Sequence, residues 1–122
     1  MQQIVCNPNE DNAYAERRLK MRLLTPEIEE RLNEVPLYAT DGMKQREVLV
    51  TFYHLFSRWA WYVVEAEKQD DDWLMFTWCR SGLGPDCDEF GYVTLKQLEE
   101  VPDILGFVNK NTMIDNKGNI YK

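Results

Sequence analysis

Histidine is nearly absent from this 122-residue chain, with His54 the single one, and that scarcity removes most histidine-based proton relays and metal centres. There are three cysteines, Cys6, Cys79 and Cys87, and no C-x-x-C pair. A zinc site, which takes about four sulfur or imidazole ligands, is therefore not expected. An odd cysteine count without a basic-then-apolar leader in MQQIVCNPNEDNAYAERRLK predicts reduced thiols and a cytosolic protein. No apolar run approaches the roughly 18 residues that cross a bilayer, so no membrane association is expected.

Phosphate and nucleophile motifs are missing as well. Gly82-x-Gly84 lacks both the following helix and the Lys-Ser/Thr pair of a phosphate loop, and neither Ser57 nor Ser81 lies in a G-x-S-x-G elbow. The calcium-loop spacing fails at Asp115-Asn116-Lys117-Gly118. No cofactor is expected, and the reading is noncatalytic; an enzyme would have to use His54, Cys79 or the acidic turns.

Acid is what the chain has in excess: 21 Asp and Glu against 14 Lys and Arg, a formal net charge of −7. Proteins that bind a phosphate backbone gain affinity by releasing its counterions to Lys and Arg, so direct nucleic-acid binding is disfavoured. The same sign favours a partner with a basic surface. Two turns concentrate the acids, Asp70-Asp71-Asp72 and Asp86 with Asp88-Glu89.

The block Val48–Cys79 holds all four tryptophans in three β-rich runs. Val48, Val50, Phe52 and Phe56 alternate with Leu49, Thr51, Tyr53 and Leu55, as in a strand covered on both sides. Trp59, Trp61 and Val63 oppose Ala60, Tyr62, Val64 and Ala66 after a turn at Ser57-Arg58, and Leu74, Phe76 and Trp78 oppose Trp73, Met75, Thr77 and Cys79. Phe90–Val93 reads as a fourth strand, and Asn116-Lys117-Gly118 as the turn of a terminal hairpin. Aromatics on a sheet can stack bases, but the intervening residues here are neutral or acidic.

Helices are expected at Asn12–Arg22, whose Arg17, Arg18, Lys20 and Arg22 form a basic solvated face, and from Thr25-Pro26-Glu27 to a stop at Pro36. A third opens at Thr94, where Gln97 completes a capping box and Val93 with Leu98 a hydrophobic staple, and runs to Pro102. The sum is an α+β fold: an antiparallel sheet of four or five strands, a helical N-terminal part, and one capped helix packed on the sheet. The expected organisation is a single domain over 1–122, with an extension over 1–22, a core over 23–101 and a tail over 102–122.

Four motifs in order, Leu23–Ile28, Val35–Gly42, Trp59–Glu65 and Phe90–Glu99, resemble the bacterial domain-of-unknown-function family numbered 2958. The resemblance covers Leu23–Val101 and departs in the N-terminus through Met21 and in the tail after Gly106. It implies a small accessory protein of phages, plasmids and other mobile elements, and brings no catalytic residues. The functional expectation is thus an acidic protein-interaction module, a counter-defence protein that binds and inhibits a host protein. Asp70, Asp71, Asp72, Asp86, Asp88 and Glu89 would meet the partner, with Trp59 and Trp73 as exposed anchors. The alternative is a small-ligand sensor with a pocket lined by Tyr38, Trp61 and Tyr92.

Overall fold

The structure is a computed structural model, and it describes residues 21–122. The helix expected over Asn12–Arg22 lies, apart from its last two residues, outside the described residues. Arg22 is in a turn and not on a solvated helical face: its guanidinium donates to the carbonyls of Val101 (2.9 Å) and Ile104 (3.1 Å).

Helix α1 (Pro26–Leu32) starts where Thr25 accepts the Ile28 amide at 3.2 Å, with Pro26 at the first helical position, and buries Ile28 and Leu32. It ends before Pro36, with Asn33 as its cap. Val35 is outside the helix, and its carbonyl instead accepts the Ala66 amide at 2.9 Å.

Eight strands follow: β1 (Gln45–Glu47), β2 (Val50–His54), β3 (Ala60–Gln69), β4 (Asp72–Arg80), β5 (Glu89–Thr94), β6 (Ile104–Val108), β7 (Met113–Asp115) and β8 (Ile120–Tyr121). Five form an antiparallel sheet in the order β5-β4-β3-β2-β6, and three a smaller antiparallel sheet in the order β1-β7-β8. The fold is α+β with strands dominant. The expected terminal hairpin is β7–β8. Strands β1 and β6 were not foreseen, and β6 adds the fifth strand beside β2.

The single run expected from Val48 to Phe56 is broken at Val48-Leu49, where the chain passes from one sheet to the other. The Val48 amide donates to Thr112 of the small sheet side, while the next amide, Leu49, donates to Val63 of β3 (both 2.8 Å). Val48 accordingly packs with Val64 and Ile114, whereas Leu49, Val50 and Phe52 pack on the helix side.

The two faces of the large sheet bury different sets. One face, covered by α1 and by helix α2 (Leu95–Glu99), holds Phe52, Val63, Ala66, Trp73, Met75, Leu95, Leu98 and Ile104. The other, covered by the small sheet, holds Val64 with Tyr62, Phe76, Trp78 and Phe90 around it. The capping box of α2 forms as expected, Thr94 accepting the Gln97 amide and Gln97 accepting the Thr94 amide. This helix ends at Glu99, before Val101.

A β-bulge in β3 decides what lies on each face. Val63 opposes Thr77 but Glu65 opposes Phe76, so two residues of β3 span one step of β4. Strict alternation would place Glu65 with Trp61 and Val63 among apolar side chains on the helix side. The extra residue turns it to the face of Val64 and Phe76 and moves Ala66 to the helix side, opposite to its expected face.

Candidate functional site

Glu65 is 1% exposed, and the price of burying a carboxylate is offset by three donors. The loop after α1 supplies them: the Tyr38 amide reaches Oε1 at 2.8 Å, the Thr40 amide reaches Oε2 at 2.9 Å, and the Thr40 hydroxyl also donates to Oε2. Tyr38 has a φ of 71°, a left-handed conformation uncommon for a bulky residue, held here by its bond to Glu65. Thr40 Oγ1 in turn accepts from Arg46 Nε of β1 at 2.9 Å, and Arg46 Nη1 donates to Asn116 Oδ1 at 2.7 Å. The Arg46 guanidinium also lies 4.8 Å from the ring centre of Phe90. One polar chain, Glu65–Thr40–Arg46–Asn116, thereby ties the large sheet, the loop and the small sheet together.

That loop delivers Tyr38 beside Tyr92 of β5. Both are exposed, at 65% and 50%, and close enough for Tyr38 to act on the Tyr92 phenol. Desolvation, and after it the nearby Tyr38, Glu65 and Asp41, push the Tyr92 phenol above its ordinary value, so it stays neutral and a donor. Asp41 is exposed next to the pair, and Glu67, two residues beyond Glu65 in β3, is exposed on the same face. This part of the sheet face carries two exposed aromatic rings with Asp41 near them and Glu67 on the same face.

The acidic turns do not form one surface. They lie at opposite ends of β4, which spans roughly 27 Å at about 3.4 Å per residue. Several of their acids are also engaged in structure. Asp71 pairs with Lys96 at 2.8 Å, and Asp72 accepts the amides of Trp73 (2.7 Å) and Lys96 (3.0 Å). Asp88 grips Arg58 through both oxygens (2.7 and 2.6 Å) and accepts the Ser81 amide at 2.7 Å. The Arg58 bond first, and the Ser81 amide with it, hold the Asp88 carboxyl down at about 2. Asp70, Asp86 and Glu89 are exposed.

Trp73 is 1% exposed and belongs to the helix-side core, which corrects its expected role as an exposed anchor. Its odd position in β4 points it under α2, and its indole Nε1 has no partner among the described residues. Trp59 is half-buried, stacked on Trp61 with ring centres 5.8 Å apart and backed by Gly82, where any Cβ would meet the indole at 2.2 Å. The pocket expected from Tyr38, Trp61 and Tyr92 is not assembled: Trp61 packs on the helix-side face, while Tyr92 lies with Phe76 on the other.

His54 accepts the Phe56 amide on Nδ1 at 3.2 Å. Burial pushes the Cys79 thiol up, the opposite of what activates a nucleophile. Among the described residues no three His, Cys, Asp or Glu side chains gather as a metal would need, and no helix is long and apolar enough to cross a membrane.

Neither Glu65 nor Arg46 stands out in the sequence as a site residue. A charged residue inside an apolar strand is a signal, but its destination depends on the bulge, which alternation alone does not locate. No family model, curated protein or solved structure matches this chain, so the family resemblance stands on its four motifs alone.

Proposed function

We propose that this chain is a noncatalytic interaction module that docks a basic protein surface on the Tyr38–Tyr92 end of its large sheet. The observation that carries the reading is the exposed Tyr38–Tyr92 pair with Asp41 near it and Glu67 exposed on the same sheet face. Arg and Lys side chains stack on such rings, with about 0.5–1 kcal/mol from each exposed contact, and the surrounding carboxylates steer their approach. The net charge of −7 acts in the same sense at longer range. Asp70 lies in the β3–β4 turn and Glu89 three residues along β5 from Tyr92, and none of Asp70, Asp86 and Glu89 is counted in this surface. The four-motif resemblance supports a setting among mobile elements, where such a module would act as a counter-defence inhibitor of a host protein.

The test is affinity capture from a host lysate at low and high salt with the wild-type chain and a Tyr38→Ala/Tyr92→Ala variant, followed by binding measurements on the purified partner. A protein partner with a basic surface, bound at least tenfold more weakly by the double variant and released by salt, supports the reading. A partner bound equally well by the double variant contradicts it.

A further inference from the structure

The opposite end of the same sheet face has a different character. Beyond the cover of the small sheet, a groove of about 300 Å³ opens between β2, β3 and β6, at the lower end of the range that small-ligand sites occupy. Its walls include Tyr53, Tyr62 and Phe107, with Tyr53 and Phe107 in edge contact at 5.9 Å and Phe107 47% exposed. Its cations are Arg58 and Arg80, and His54 closes the end at the β2–β3 turn.

Among the described residues no carboxylate lines this groove, in a chain where acids outnumber bases by half. The two arginines are unequal. Arg58 is neutralised by Asp88 and also donates to the Ser81 carbonyl at 2.6 Å, which fixes it in place. The exposed Arg80 guanidinium acts on Asp88 through space but makes no ion pair or hydrogen bond within contact distance among the described residues, so its donors are available. An aromatic wall beside one unspent guanidinium matches a planar ring joined to an anion: stacking satisfies the ring, and Arg80 meets the charge with a pair of parallel donors.

The geometry points to a small-ligand site for anionic aromatic compounds of the nucleoside monophosphate class. It does not extend to a nucleic-acid strand, because a net charge of −7 opposes a phosphate polymer that must track across the surface. This site is separate from the Tyr38–Tyr92 surface, and each inference can fail without the other.

The probes are the four ribonucleoside 5′-monophosphates, their parent nucleosides, and inorganic phosphate, measured by calorimetry and by thermal shift on the full chain. The inference predicts that at least one monophosphate binds tenfold or more tightly than both its nucleoside and phosphate. Arg80→Ala should weaken that binding about tenfold, the loss of one charge-assisted bond of about 1.5 kcal/mol, and Phe107→Ala should weaken it too. Lys68→Ala, which removes an exposed cation near the other end of β3, should leave it unchanged. The absence of binding by every monophosphate, equal binding of phosphate alone, or equal losses for Arg80→Ala and Lys68→Ala would overturn the inference.

Discussion

The two ends of the large sheet are built from the same strands and hold opposite charge in opposite ways. Toward the β3–β4 side a carboxylate is buried and its donors are backbone and hydroxyl groups of a loop, so the one tyrosine that the loop carries, Tyr38, is held outward near Tyr92 of β5. At the β2–β3 end the carboxylate of Asp88 lies near the surface and is bonded to Arg58, which leaves a groove whose second cation, Arg80, has no contact ion pair among the described residues. The difference shows that the count of acids in a turn says little about its charge. Which of them already cap amides or pair with arginine decides what a partner meets.

The comparison can be broken at its foundations first. Trp73→Ala removes the largest fully buried side chain, beneath the acidic end, and should cost about 3–5 kcal/mol in urea unfolding. Trp73→Phe should cost far less than Ala, because it also removes the indole donor that has no partner among the described residues. Next comes Glu65→Ala, which strands the Tyr38 and Thr40 amides and the Thr40 hydroxyl: a loss of about 3 kcal/mol, with Tyr38 released from its bonded position, is expected. Retention of the Tyr38–Tyr92 contact by NMR in Glu65→Ala would break the link between the buried acid and the exposed pair.

Arg58→Ala tests the other end, through pH. The Asp88 carboxyl is held at about 2 in the folded chain, against an ordinary value of 3.8. A depressed carboxyl stabilises the fold fully above the ordinary value, and that contribution disappears as the pH falls through 2. The stability gap between wild type and Arg58→Ala should therefore be constant at neutral pH, shrink below about pH 4 and lose its Asp88-dependent part near pH 2. A gap that does not change with acid would remove the ion pair from the account.

Thr94→Ala, which deletes one side of the capping box, should cost about 1 kcal/mol. Smallest of all is Asp70→Asn: the residue is exposed at φ 56°, a conformation that Asn adopts as readily as Asp, and stability should change by about 0.5 kcal/mol or less, although long-range attraction of a basic partner should weaken slightly.

Much of the fold was legible because alternation and capping are local. The faces of β4 and the capping box at Thr94 follow from residue order within six or seven positions. The break at Val48-Leu49 was not legible, since nothing in an unbroken apolar run marks the point where its amides change partner from the small-sheet side to β3. Strand β6 was overlooked because Leu105 and Phe107 face outward and Gly106 interrupts the run. Yet Gly106 is required there, since a Cβ would meet the Phe52 ring at 2.6 Å. The candidate sites were less legible still. They depend on a bulge that turns Glu65 over and on an ion pair between residues 30 positions apart, neither of which has a local signature.

One sheet face, on this reading, presents two separate surfaces of opposite preference. The most direct measurement is a pair of NMR titrations of the isotope-labelled chain, one with an arginine-rich peptide and one with uridine 5′-monophosphate. The account predicts peptide-induced shifts at Tyr38, Asp41, Glu67 and Tyr92, and nucleotide-induced shifts at Tyr53, Arg80 and Phe107, with little overlap. Shifts from both ligands on one common set of residues, or scattered over the whole surface, would contradict it.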